Sequence, residues 1–241
     1  MPTNVIVNSL LNRWKVVDMR VAGVDDAGRG AVLGPLVIAG VMLHRKNLHK
    51  LEELGVKDSK RLSPHRREQL AAQIRKLALQ VHFIKLAPAE IDIFVKRKKK
   101  LYKLNRLEAQ TMAKVIDALK PEKAFVDASD VLADRYKRHI LECLPVQVEI
   151  VSEHKADEKY PIVSAASIIA KVERDKAVSK LKEKYGELGC GYPTDPQTIQ
   201  FLQDWIKKFG VYPDFVRKSW KPAQKIKTQA KSKQTKLTEV S

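Results

Sequence analysis

The chain has 241 residues, 44 % of them hydrophobic, which is enough for one large domain with a small appendage. Its 46 Lys and Arg outnumber 28 Asp and Glu, and the formal charge of +18 calls for an anionic partner, nucleic acid first. Two isolated cysteines, Cys143 and Cys190, exclude a disulfide framework or zinc knot, and the apolar run from Pro161 to Ala170 is half a membrane span.

Residues 1–19 form a short apolar-basic lead-in. No basic region followed by a long apolar core is present there, so a cytoplasmic protein is expected, with a monomer as the default. A first strand is predicted from Arg20 to Asp25 and a second from Pro35 to Leu43. The glycine-bearing loop between them suggests an antiparallel hairpin. Ser63-Pro64 reads as an N-cap with proline at the first helical position, opening a helix to about Leu79. Gln80 to Ala87 is a third strand. Pro88 opens a helical segment that breaks near the basic run Lys96 to Lys100.

Apolar residues at Leu104, Leu107, Met112, Val115, Ile116 and Leu119 give a helix over Asn105 to Leu119. Lys123 to Asp127 is a short strand, Val131 to Leu141 a helix, and Val146 to Val151 a strand. Val163 to Tyr185 and Pro196 to Phe209 are helices. Hairpin strands followed by alternating strands and helices predict an α/β domain around a mixed sheet. From Lys221 to Ser241 six lysines and few apolar residues predict a mobile or loosely docked basic tail.

The carboxylates carry the chemistry. Asp25 and Asp26 close the first strand, Asp127 closes another, and Asp157 follows a third. Ligands of α/β folds gather at the carboxyl ends of strands. Such a cluster would repel itself and raise its own pKa values unless hard cations such as Mg²⁺ or Mn²⁺ offset the charge. Asp127 and Asp157 each precede a helix, where aspartate is a common cap, so spacing alone leaves capping and metal coordination both open.

Gly28-Arg29-Gly30 lacks the third glycine of a dinucleotide fingerprint. Its glycines permit close backbone approach, and Arg29 suits a phosphate; a simple tight turn is the competing reading. Lys57-Asp58-Ser59-Lys60 fits a phosphate clamp or a solvated loop. Ser164, Ser167 and Lys171 open an apolar helix, where close packing is the better reading and Lys171 is placed to face phosphate. The rigid turn around Tyr192 presents one aromatic ring, able to stack on a sugar or base or to pack on the surface. Arg217-Lys218 adds a basic pair.

The segments GVDDAGRGAVLGPLVIAG, KDSKRLS, LNRLEAQTM, FVDASDV, HKADEKYPIVSAASIIAKVERD, GCGYPTDPQT and FVRKSW, in this order, resemble the type 2 ribonucleases H. The likeness is to the single-chain archaeal enzymes and spans roughly Ala22 to Trp220. It implies an RNase H-like fold with a mixed five-stranded sheet flanked by helices and a mainly helical C-terminal part. The expected division is a catalytic domain over 20–185, a substrate-binding helical part over 186–220 and the tail over 221–241.

The resemblance implies hydrolysis of the RNA strand of RNA–DNA hybrids. It also implies nicking 5′ of ribonucleotides embedded in duplex DNA, leaving 3′-hydroxyl and 5′-phosphate ends. Asp25, Asp26, Asp127 and Asp157 match the metal-binding quartet, with two Mg²⁺ or Mn²⁺ ions expected with substrate. Gly28, Arg29, Gly30 and Tyr192 match the parts that sense the 2′-hydroxyl; Lys60 and Ser164 match parts lining the substrate groove. The family pattern carries glutamate where this chain has Asp26, one methylene shorter, and serine where it has Cys190. The rival readings are a DNA-directed two-metal nuclease of the resolvase or transposase type and a non-catalytic nucleic-acid binding module.

Overall fold

In the computed structural model, residues 18–56, 62–96 and 103–238 are described. Two strands come first, β1 (Arg20–Ala27) and β2 (Leu36–His44). The helices α1 (Leu48–Glu53) and α2 (Pro64–Leu77) follow, then β3 (Gln80–Leu86), α3 (Pro88–Lys96) and α4 (Lys103–Leu119). The second half holds β4 (Lys123–Asp127), α5 (Ala133–Leu141), β5 (Glu149–Glu153) and α6 (Ala156–Lys159). Three longer helices close the chain, α7 (Pro161–Tyr185), α8 (Pro196–Phe209) and α9 (Lys221–Thr238).

The strands form one five-stranded sheet in the order β3-β2-β1-β4-β5. The Arg45 N–H donates to the Met19 carbonyl at 2.8 Å, so the end of β2 lies beside the start of β1 and the pair is antiparallel. β1, β4 and β5 run parallel, with Val24 paired to Val126 and Asp127 to Glu153. The sheet is therefore mixed, as expected. Several ends differ from the predicted bounds by one to three residues, and two of the starts have a visible cause. β5 starts at Glu149 rather than Val146, because Val146 is half exposed and lies outside the ladder. α5 starts at Ala133, after a loop held by Asp130, whose buried carboxylate accepts from Leu132 N–H and Arg135 Nε at 3.0 Å each.

By packing, the chain divides into two compact units, one of residues up to 26 with 38–84 and 108–172, the other of 27–37, 85–107 and 173 onward. This is an interleaved division. The first unit holds most of the sheet, whose inner positions are closed by Ala22, Val24, Ile38, Val126 and Ile150. Gly23 is required there: a Cβ on it would collide with the Ile162 carbonyl, so only glycine lets the start of α7 lie against β1.

The second unit has its own core, including Leu33, Leu188, Leu202, Tyr212 and Val216. Ala223 and Ile226 of α9 are buried in it, and the Tyr212 hydroxyl donates to the Ala223 carbonyl at 3.1 Å. The expectation of a mobile or loosely docked tail beginning at Lys221 is thus corrected. Ala223, Ile226 and Ala230 recur at helical spacing, a short apolar stripe that overrides the polar composition around it.

Candidate active site

The first unit gathers carboxylates at the carboxyl ends of parallel strands. The β1–β4 register, continued one step past Val24 and Val126, sets Asp25 beside Asp127. Asp25 is 5 % exposed. Burial, followed by the charges of Asp26 and Asp127, pushes its carboxyl well above the usual range. Asp26 follows it at the strand end and is half-buried.

Internal donors orient each of these groups. The Asp26 N–H donates to Asp25 Oδ1 at 2.7 Å, and the Ser167 hydroxyl hydrogen-bonds the same carboxylate. Lys171 Nζ in turn donates to Ser167 Oγ at 2.8 Å. The Ser129 hydroxyl donates to Asp26 Oδ1 at 3.1 Å. Asp127 Oδ1 accepts from the Ala156 N–H at 2.8 Å.

That last bond places the segment of the fourth carboxylate. Ala156 and Asp157 form the first turn of α6, so a bond at Ala156 holds the backbone that carries Asp157 beside Asp127. Lys155, just before them, holds a left-handed backbone with φ 56°, an uncommon conformation for a residue with a side chain. Asp157 itself is buried, 7 % exposed. Among the described residues, no three acidic, histidine or cysteine side chains are gathered closely enough to hold a metal ion by themselves. The like charges of Asp25, Asp26 and Asp127 on oxygen donors are the chemistry that a hard divalent cation offsets, so in donor type these carboxylates fit such a group.

The second unit builds a different constellation. Gly28 has φ 89°, and Arg29 Nη2 donates to Asn105 Oδ1 at 2.8 Å. Arg217, half of the basic pair with Lys218, is fully buried. Its guanidinium donates to the Arg29 carbonyl at 2.8 Å and to the Gly34 carbonyl at 3.2 and 3.3 Å. Val32 and Leu33 N–H donate to the Gly191 carbonyl at 2.8 and 3.1 Å. The loop of Gly28, Arg29 and Gly30 is thereby tied to the turn that carries Tyr192. A Cβ placed on Gly30 would lie 4.0 Å from the Tyr192 ring.

That turn is held from within by Asp195. Its carboxylate accepts from Cys190 N–H at 2.5 Å, Gln197 N–H at 3.0 Å and Thr198 Oγ1 at 3.1 Å. These bonds, the Cys190 N–H first, lower its pKa to about 2.

Two predicted site residues stand apart from these groups. Ser164 is 1 % exposed and its hydroxyl donates to the Val56 carbonyl, so it packs the interior instead of lining a groove. Lys60 lies outside the described residues. Sequence reasoning missed Ser129, Asp130 and Arg174, the last 5 % exposed beneath Tyr192. The run ERD at 173–175 was visible, but nothing in it signals a buried arginine.

The comparisons with known proteins agree on one family. The family model of ribonuclease HII matches residues 22–223. The ribonuclease HII of Thermococcus onnurineus is 47 % identical over 210 residues, covering 86 % of this chain and 90 % of its own. That of Pyrococcus furiosus is 43 % identical over 222 residues, covering 91 % and 96 %. Among solved structures, the ribonuclease H2 of Pyrococcus horikoshii superposes with a TM-score of 0.81 at 43 % identity, covering 88 % of this chain and 99 % of that one.

Proposed function

Because the chain belongs to the ribonuclease HII family, an endonuclease that hydrolyses the RNA strand of RNA–DNA hybrids, we propose that its reaction centre is the carboxylate group of Asp25, Asp26, Asp127 and Asp157. The observation that carries the assignment is the buried Asp25, raised by burial and by two neighbouring carboxylates, at the end of a strand whose register adjoins Asp127. The family match sets aside the rival DNA-directed nuclease and the non-catalytic module.

The four side chains would hold Mg²⁺ or Mn²⁺, two ions with substrate. When bound, these supply Lewis acidity at the phosphodiester and lower the pKa of a water. The chain's own residues aim the oxygens. Asp26 N–H and Ser167 fix Asp25, Ser129 fixes Asp26, and Ala156 N–H fixes Asp127. Such fixed donors keep the ligands from splaying apart under their own repulsion when the charge is uncompensated, so little reorganisation remains at the moment of reaction. No covalent nucleophile is needed.

Selectivity for a ribonucleotide belongs, in this reading, to Gly28, Arg29, Gly30 and Tyr192. What supports it is that two backbone bonds tie loop and turn together and that the buried Arg217 holds the loop. The surplus of 18 positive charges serves the phosphate backbones of hybrid and duplex. Among the described residues no helix is long and apolar enough to cross a membrane. Family membership is the ground for reading the protein as cytoplasmic, and a monomer remains the default.

Cleavage mapping tests the whole reading. A duplex DNA with one embedded ribonucleotide and a uniform RNA–DNA hybrid are incubated with Mg²⁺ or Mn²⁺. A nick 5′ of the ribonucleotide, leaving 3′-hydroxyl and 5′-phosphate ends, is expected. Cutting of an all-DNA duplex at a comparable rate would overturn it.

A further inference from the structure

We propose that Arg174 is the positioning residue for Tyr192, and that through the ring it sets how well the enzyme tells a ribonucleotide from a deoxyribonucleotide. The proposal rests on the sensing role of Tyr192 given above and assigns the group that holds the ring in place.

The geometry is specific. The Arg174 guanidinium carbon lies 4.7 Å from the Tyr192 ring centroid, within range of a cation–π contact. Its Nη2 donates to the Cys190 carbonyl, two residues before the tyrosine, so one side chain grips both the ring and the turn that bears it. Nη1 lies 3.4 Å from Asp175 Oδ1, a loose pairing that leaves most of the charge to the carbonyl and the ring.

Glycines clear the space around it. A Cβ on Gly191, where φ is 86°, would lie 2.8 Å from Nη2. A Cβ on Gly28, where φ is 89°, would lie 3.3 Å from Arg174 Cγ and 2.8 Å from the Pro35 carbonyl. The guanidinium therefore fills a slot bounded by the two glycine-bearing segments proposed to sense the sugar. Only arginine combines a flat face for stacking with in-plane donors for a carbonyl; lysine offers a point charge without a face. The 5 % exposure of Arg174 makes it a support under the ring rather than a contact with substrate.

The experiment compares Arg174→Lys, Tyr192→Ala and the double variant. The readout is the ratio of kcat/KM on a single-ribonucleotide duplex to kcat/KM on a uniform RNA–DNA hybrid. Arg174→Lys is expected to lower that ratio about threefold in the wild-type background, by no more than Tyr192→Ala does, and to leave it unmoved in the Tyr192→Ala background. Side-chain NMR of ring-labelled Tyr192 is expected to show a shifted resonance in the lysine variant. If the lysine variant fails to fold, Arg174→Gln takes its place with the same expectations. Equal losses on both substrates, or a fall in the ratio that persists without the Tyr192 ring, would overturn the proposal. A ratio unmoved by Tyr192→Ala would instead show the sensing role itself to be wrong, with the NMR shift still reporting the contact.

Discussion

The two units solve opposite electrostatic problems. In the first, Asp25, Asp26 and Asp127 crowd like charges together, and burial drives the Asp25 carboxyl well above its usual range. In the second, the cations are the buried groups. Arg217 spends its donors on the carbonyls of Arg29 and Gly34, and Arg174 on the Cys190 carbonyl and the Tyr192 ring. The acidic region is left with uncompensated like charge. The arginine-braced region turns most of its buried donors on its own carbonyls and ring, Arg174 Nε excepted, and its proposed role is one of shape. Charge relief and geometric selection are therefore expected to fail separately under mutation.

The most severe test falls on the acidic side. Asp127→Asn keeps the shape while removing a charge, and is expected to cut hydrolysis of an RNA–DNA hybrid by at least about 10²–10³-fold, as loss of one preorganised electrostatic group does. The same change relieves repulsion on Asp25, so the metal-free thermal midpoint is expected to stay or to rise by a few degrees. Substantial cleavage by this variant at saturating Mg²⁺ would remove Asp127 from the reaction centre. The next effect is an increase. Asp26→Glu adds the methylene that the family pattern carries, and errors near 1 Å at a reacting centre cost up to about 10²-fold. Steady-state rates in Mg²⁺ are expected to rise by roughly tenfold. A fall would mean that Ser129, at 3.1 Å from Asp26, has fitted the site to the shorter side chain.

The asymmetry between the regions also governs how much was legible in the sequence. Strand-end aspartates announce themselves, because a carboxylate closing an apolar run has no role in a core. Alternation and N-cap signals likewise gave the strands and most helices, Ser63 capping α2 through the Arg66 N–H as read. What stayed hidden depends on direction. Ser164 and Ser167 lie three apart on α7, yet one bonds the Val56 carbonyl and the other Asp25. Nothing in the pair Arg217-Lys218 marks the arginine as buried, and only the carbonyls folded around it make its burial tolerable. A single sequence reports residue type and spacing, not which long side chain turns inward. The stripe of α9 was overlooked for a related reason: three small contacts in a lysine-rich segment weigh little in composition and much in packing.

On the arginine-braced side the expected losses are smaller and selective. Tyr192→Ala is expected to lower nicking at a single ribonucleotide by about tenfold while lowering hydrolysis of a uniform hybrid less, since a lost stacking contact on one nucleotide is worth about 1–3 kcal/mol. Equal losses in the two assays would assign the ring to general duplex binding and erase the division between the units.

The smallest effect concerns the turn that carries that ring, and its sign is fixed by Asp195. The carboxyl sits at about 2, below its ordinary 3.8, because Cys190 N–H, Gln197 N–H and Thr198 hydroxyl all donate to the ionised form. Its folded pKa is lower than its unfolded one. The stabilisation is therefore complete above about pH 4 and is lost as the pH falls toward about 2. Asp195→Asn presents an amide that cannot accept all three bonds. Its thermal midpoint is expected to lie about 2–6 °C below the wild type at pH 7, the scale of a charged hydrogen bond in a chain of this size. The gap is expected to close between pH 4 and pH 2, because the wild-type carboxyl then becomes a neutral group as well. Melting curves of both proteins across that range decide the matter: a gap that stays constant would mean that the turn is held by packing and backbone bonds alone, and that its charge-assisted bonds contribute nothing to presenting Tyr192.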